Sequence, residues 1–173
     1  MTITIPRPSL VVLVGPAGSG KSTFAAAHFR PTAVVSSDQC RAMISDDPSN
    51  QRVSGDAFDL FHFIIDRRLK WRRLAVADST ALTRQARRLL LRIARDRGVP
   101  AVLLLFDVPL QTCLERDLVR PQPVGEEVVR RQYDQLEEAR KTVREEGFDQ
   151  VHVLREEDLR DIRIMVQRHP ARH

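Results

Sequence analysis

The chain has 173 residues, 42% of them hydrophobic and 29% charged, which fits one globular domain and argues against disorder. Basic residues outnumber acidic ones 28 to 23, a formal net charge of +5, and only Lys21, Lys70 and Lys141 are lysines. Two cysteines, Cys40 and Cys113, are too few for a disulfide framework and lack zinc-ligand spacing.

The start MTITIPRP lacks a signal-peptide pattern, and no stretch is apolar enough to span a bilayer. An intracellular, cytoplasmic, soluble protein without membrane contact is therefore expected. The charge is uneven: residues 1–100 hold 16 cations and 8 anions, residues 101–173 hold 12 and 15. A basic front part suits an anionic partner, and an arginine-rich solvated surface would read the same way.

In chain order, Leu10–Val14 (LVVLV) is the first continuously apolar run and reads as a strand. Ala33–Ser36, Leu74–Ala77, Ala101–Phe106 and Val151–Leu154 repeat that pattern. Strands apolar throughout belong to a sheet covered on both faces. Between them lie amphipathic runs. Phe58, Phe61, Ile65 and Leu69 mark one helix. In Thr83–Arg97, the residues Ala86, Leu89, Leu90, Ile93 and Ala94 form a stripe facing a sheet. Arg84, Arg87, Arg88, Arg92 and Arg95 take the outer face, and Gly98 ends the helix. A further helix runs from about Glu126 to Glu146, with Val129, Tyr133, Leu136 and Val143 inward. Strand–helix alternation with right-handed crossovers predicts an α/β sandwich whose five-stranded parallel sheet has Leu10–Val14 at its centre. Residues 1–168 then form a single domain and 169–173 a tail.

Directly after the first strand, Gly15-Pro16-Ala17-Gly18-Ser19-Gly20-Lys21-Ser22 fits GxxxxGK[ST], and Thr23 leads into a helical run. In this P-loop pattern, backbone N–H groups converge on phosphate oxygens at a helix N-terminus. Lys21 reaches the terminal phosphates and the Ser22 hydroxyl ligates Mg²⁺. Asp78 closes the strand LAVAD, at the sheet end that faces the ligand crevice. It can orient a magnesium-bound water, contact the acceptor, or cap a turn with Ser79 and Thr80.

The second strand runs into Ser36-Ser37-Asp38-Gln39-Cys40-Arg41. A hydroxyl acceptor needs a carboxylate to take its proton, and Asp38 sits where that is required. Arg41, three residues on, shares a helix face with it and can bind an acceptor phosphate bidentately. An N-cap Asp38 with a surface ion pair is the plainer alternative. Arg116 and Arg120, in CLERDLVR, precede the Pro121–Gly125 stretch and suit a lid that closes on a transferring phosphate. The five histidines form no metal-ligand spacing, and His62 reads as packed among phenylalanines.

The order GPAGSGKST, SSDQCR, SDDPSNQRVSGDAFD, VADST and CLERDLVR resembles the kinase module of bacterial polynucleotide kinase-phosphatase end-healing proteins, from about Pro6 to about Gln167. The resemblance implies a P-loop kinase-like sandwich with an arginine-bearing lid, acting as an ATP-dependent polynucleotide 5′-hydroxyl kinase in RNA or DNA repair. It implies ATP held by Gly15 through Thr23 with Arg116 and Arg120. It implies Asp38, Lys21 and Arg116 in catalysis, and Asp38, Arg41 and Gln51 at the acceptor. Mg²⁺ would meet Ser22 directly and Asp78 through water. Linked phosphatase or ligase modules are the partners such a module has. One departure stands out: Ala81 replaces the asparagine of a D-x-T-N continuation. Two other readings remain open, a small-molecule kinase for a sugar, nucleoside or antibiotic, and a nucleotide-dependent binding module without phosphoryl transfer.

Overall fold

Continuous burial along Leu10–Val14 follows from its position between neighbours on both sides and layers on both faces. The computed structural model describes residues 1–168, and the expected tail, 169–173, lies outside them. The first half comprises β1 (Thr2–Arg7), β2 (Leu10–Val14), α1 (Lys21–His28), β3 (Val34–Ser36), α2 (Ser37–Ser45), α3 (Ser54–Lys70) and β4 (Ala75–Asp78). The second comprises α4 (Arg84–Asp96), β5 (Ala101–Asp107), α5 (Leu110–Leu118), α6 (Glu126–Thr142), β6 (Gln150–Arg155) and β7 (Arg163–Arg168). Strands β3-β4-β2-β5-β6 form one parallel sheet, in that order, with β2 central.

Alternate residues of each strand serve opposite faces. Val12, Val14, Leu103 and Leu105 pack with Phe61, Ile65 and Leu69 of α3, Leu90 of α4 and Leu136 of α6. Val11, Leu13, Val102, Leu104 and Phe106 pack with Phe24 of α1 and with Ile3 and Ile5 of β1. Each fully buried side chain of this size contributes about 1.5–3 kcal/mol.

Four expectations need correction. First, β1 and β7 were not anticipated as strands. They pair in parallel, Ile3 opposite Ile164, as a separate two-stranded sheet, and the burial of Ile3 and Ile5 between exposed Thr2 and Thr4 is the alternation of a half-covered strand. Second, Arg87 does not take the outer face of α4. It is 1% exposed; its Nε and Nη2 donate to the Glu146 carboxylate at 2.7 Å each, and its Nη1 donates to the carbonyls of Ala81 and Leu82. Third, Leu89 does not face the sheet; it is 40% exposed. Fourth, the helix expected to reach Glu146 ends at Thr142 and continues as a short 3-10 turn, Val143–Glu145, which presents Glu146 to Arg87. Among the described residues no helix is long and apolar enough to cross a membrane.

Candidate functional site

A cleft of about 550 Å³ opens at the carboxyl ends of β2, β3 and β4. It gathers residues that are far apart in sequence: the P-loop, Asp38, Arg41, Gln51, Phe58, Asp78, Arg116 and Arg120 all line it. Gly15, Pro16 and Ser19 are buried in the wall behind that surface.

The donor end is built from main chain. Gly18 (φ +80°) and Gly20 (φ +91°) take left-handed conformations that let the loop fold back on itself. Gly18 also has no room for a side chain, because a Cβ there would lie 2.3 Å from the Cys113 carbonyl oxygen of α5. The loop start is pinned by the Gly15 N–H on Thr80 O at 3.1 Å, and its middle by the Ala17 N–H on Gln132 Oε1 at 2.8 Å. No side chain caps α1, so its first N–H groups are left for an anion. Lys21 is buried and donates to Pro16 O at 2.9 Å and Ser19 Oγ at 3.4 Å. Burial lowers its pKa to about 8, against the opposing pull of Asp78. Asp78 ends β4 as a buried carboxylate, and it accepts from Ser22 Oγ at 2.8 Å. Burial raises its pKa. Its bond runs to Ser22 rather than to a turn beside Ser79 and Thr80.

The opposite end of the cleft, at α2 and the start of α3, is built from side chains. The N-cap of α2 is Ser36, whose Oγ accepts from Gln39 N–H. Asp38 is therefore free of that duty and sits in the first turn with its side chain 58% exposed. Arg41 is nearly buried and donates from Nη1 to Asp38 Oδ1 at 2.9 Å. Its Nε donates to Ser54 Oγ at 3.3 Å, and Ser54 in turn donates to Gln51 Oε1 at 3.3 Å. The guanidinium also lies 5.5 Å from the ring centre of Phe58. His62 packs edge-on or tilted against Phe58 and Phe61, away from any metal-ligand cluster among the described residues.

The two arginines after β5 arrive by different means. Arg116 of α5 donates to Gly18 O at 3.5 Å and pairs with Glu156 at 3.2 Å, so it is already against the P-loop. Arg120 lies just beyond α5 and pairs at 3.7 Å with Asp117. Asp117 is buried, and both of its oxygens accept backbone N–H groups, of Val124 and Gly125 at 3.0 Å each. It thus fastens the Pro-rich turn between α5 and α6. The sequence reading missed Asp117, Glu156 and Gln132. Asp117 stood inside CLERDLVR, where only the two arginines were assigned a role, and Gln132 carries no pattern at all.

Ala81 adopts φ +46° and is buried, while Arg87 holds its carbonyl. Asparagine, expected there from the resemblance, tolerates this conformation better than alanine.

A family model described as AAA domain matches residues 10–163. The chain belongs to that family. None of the curated proteins matches it significantly. Among solved structures, a chain of the Pnkp1/Rnl/Hen1 RNA repair complex is 22% identical with a TM-score of 0.68, over 79% of this chain and 46% of that one. The chain thus spans about half the length of that relative. The Mycobacterium tuberculosis APS kinase CysC is 19% identical with a TM-score of 0.52, over 77% of this chain and 99% of that one. Shikimate kinase from Acinetobacter baumannii is 18% identical with a TM-score of 0.54, over 90% of this chain and 88% of that one. The fold of this AAA-family chain is that of P-loop kinases, flanking helices and five-stranded parallel sheet included.

Proposed function

We propose that residues 1–168 form one polynucleotide 5′-hydroxyl kinase domain, which moves the γ-phosphate of ATP to the 5′-OH end of DNA or RNA during end repair. The observation that carries this reading is the Asp38–Arg41 pair, bonded at 2.9 Å in the same cleft as the P-loop. A binding module that only senses a nucleotide needs neither group there.

In this reading Asp38 accepts the proton of the acceptor hydroxyl as its oxygen bonds to the γ-phosphorus. The bond to the bridging oxygen breaks and ADP leaves. Arg41, braced by Ser54 and Gln51, holds the acceptor phosphate next to the 5′ nucleoside. Lys21 and Arg116 offset the charge on the transferring group, with Arg120 closing from the lid side. Ser22 and Asp78 fit a magnesium ion. Their oxygens are hard donors 2.8 Å apart, and Asp78 is a buried carboxylate without an ion-pair partner among the described residues. Magnesium needs few protein ligands because it keeps water and phosphate oxygens. Ser22 would hold it directly and Asp78 through water, and the bound ion would neutralise phosphate charge.

The test is transfer of labelled γ-phosphate from ATP to 5′-OH oligonucleotides, beside 5′-phosphorylated oligonucleotides and small hydroxyl acceptors. Labelling of the 5′-OH strands alone is expected. Transfer to small acceptors only would overturn the polynucleotide assignment in favour of a second reading, a small-molecule kinase. The near-complete coverage of APS kinase and shikimate kinase, 99% and 88% of those chains, favours that alternative.

A further inference from the structure

The proposed chemistry uses four basic side chains, Lys21, Arg41, Arg116 and Arg120, and leaves a dense basic cluster elsewhere on the molecule without a task. That cluster sits at the other end of α3. The helix begins at the cleft, where Ser54 meets Arg41 and Phe58 lines the wall. It is 17 residues long, so its far end lies about 25 Å away at 1.5 Å per residue. In and just after its last turn stand Arg67, Arg68, Lys70, Arg72 and Arg73, with Trp71 among them.

Three features set this end apart. Trp71 is 74% exposed and Phe63, about two turns earlier in α3, is 55% exposed. Arg67 lies over the Phe63 ring at 4.7 Å, so the cations Arg67 and Lys70 stand between the two aromatic side chains in sequence. The charge is only partly compensated. Arg7 and Arg97 add to the five cations, and the acids facing them are Asp66 and Asp96. Asp66 is already engaged by Arg97 at 2.7 and 2.9 Å and by Arg67 at 3.5 Å. Arg68 and Arg72 donate only to carbonyls, of Leu74 and Arg97. Arg68 has its pKa lowered by burial and by Arg73 and Arg7. Finally, Arg72 holds φ +55°, a conformation that suits glycine, so a cation is kept where the backbone does not favour one.

We propose that this surface is a second, non-catalytic site for single-stranded nucleic acid, with Trp71 and Phe63 stacking bases and Arg67, Lys70 and Arg73 meeting phosphates. Exposed aromatics beside an excess of cations are what a sequence-tolerant single strand requires. A protein partner of matching acidity would need no stacking faces, and the exposed Asp56 and Asp59 earlier on α3 keep this site separate from the cleft. The assignment is independent of phosphoryl transfer.

Trp71 is the only tryptophan in the chain, so its fluorescence reports this site alone. The intact chain is titrated with 5′-phosphorylated oligothymidylate of about twelve nucleotides, within the usual site size. Saturable quenching is expected, with a log–log salt slope of about −2 for three phosphate contacts. Arg67→Ala with Lys70→Ala should make the slope shallower by about 1.4. Trp71→Ala, followed with a labelled strand, should bind about tenfold more weakly. Lys21→Ala should quench like the parent whether or not the chain is a polynucleotide kinase. The proposal is overturned by absent quenching, by equal quenching with inorganic polyphosphate, by a response to polyglutamate instead of the oligonucleotide, or by unchanged affinity in the arginine–lysine double variant.

Discussion

The two ends of the cleft are made of different material. At the donor end the contacts are main-chain: glycines at positive φ, a Cys113 carbonyl against Gly18, a Thr80 carbonyl on Gly15, and a helix start left uncapped. At the acceptor end they are side-chain: Asp38, Arg41, Ser54 and Gln51 form a chain of bonds across two helices. Lys21 is buried, whereas the Asp38 side chain is 58% exposed. Backbone geometry permits few sequences, which is why the donor end announces itself as a motif. Side-chain geometry permits many, so the acceptor can change while the fold stays the same. RNA repair, APS kinase and shikimate kinase structures sharing this fold illustrate the point.

The largest separation of the two ends should come from the charged groups. Arg116→Ala should lower kcat by about three orders of magnitude or more, since an arginine on the transferring phosphoryl group has that weight. Lys21→Ala should act similarly and also weaken ATP binding. Asp38→Ala should lose comparable turnover with ATP affinity intact, because the carboxylate acts on the acceptor. Single-turnover transfer and ATP calorimetry on the three variants decide it. Near-normal turnover in Asp38→Ala would remove the general-base role.

Next in size is a change that should touch neither end directly. Arg87→Ala leaves the Glu146 carboxylate buried without its partner and strips the Ala81 and Leu82 carbonyls of donors. Breaking one side of a buried pair costs about 3–5 kcal/mol. Urea unfolding should show that loss. Because the Thr80 carbonyl just before Ala81 pins Gly15, ATP affinity should fall more than acceptor affinity in the folded fraction. Stability within about 1 kcal/mol of the parent would mean the pair is replaceable by water.

These same residues mark what could be read beforehand. The five strands, the central place of Leu10–Val14 and the helix covering Thr83–Arg97 were legible because apolar runs and a 3.6-residue period arise from local burial. So was the gathering of the P-loop, Asp38, Arg41, Arg116 and Arg120 in one cleft. Arg87 was not legible. An arginine on an amphipathic helix ordinarily faces water, and its carboxylate partner is 59 residues away. The β1–β7 sheet was hidden for the same reason, since its pairing joins opposite ends of the chain. Asp117 failed differently: its role lies in receiving backbone N–H groups of a turn, and a turn's hydrogen bonds leave no periodic trace.

A pH series separates the two ends more gently. Burial holds Lys21 at about 8 in the free protein, and a bound phosphate favours its charged form. The free group is charged below about pH 8, so ATP affinity should be level there. Above about pH 8 affinity should fall, at most tenfold per pH unit, until the raised pKa of the bound state is reached. Calorimetry in buffers of different ionisation enthalpy should register proton uptake on that limb. Acceptor affinity should not share this midpoint, because Lys21 bonds within the P-loop and not to the Asp38–Arg41 pair. An ATP affinity flat from about pH 7 to 9.5 would mean that Lys21 is not where the phosphate charge is met.

The smallest effect belongs to Gln51. It is exposed and meets Arg41 only through Ser54. Removing its amide frees the Ser54 hydroxyl to bond water instead, so the loss is that of one neutral hydrogen bond, about 0.5–1.5 kcal/mol. Gln51→Ala should therefore raise acceptor KM by roughly two- to tenfold. It should leave kcat and ATP binding alone, since Asp38 keeps its own bond to Arg41 Nη1. Ser54→Ala, one bond closer to the guanidinium, should have the larger KM effect of the two. A drop in kcat with unchanged acceptor KM in Gln51→Ala would place the amide against the reacting groups, and an altered ATP affinity would join it to the donor end.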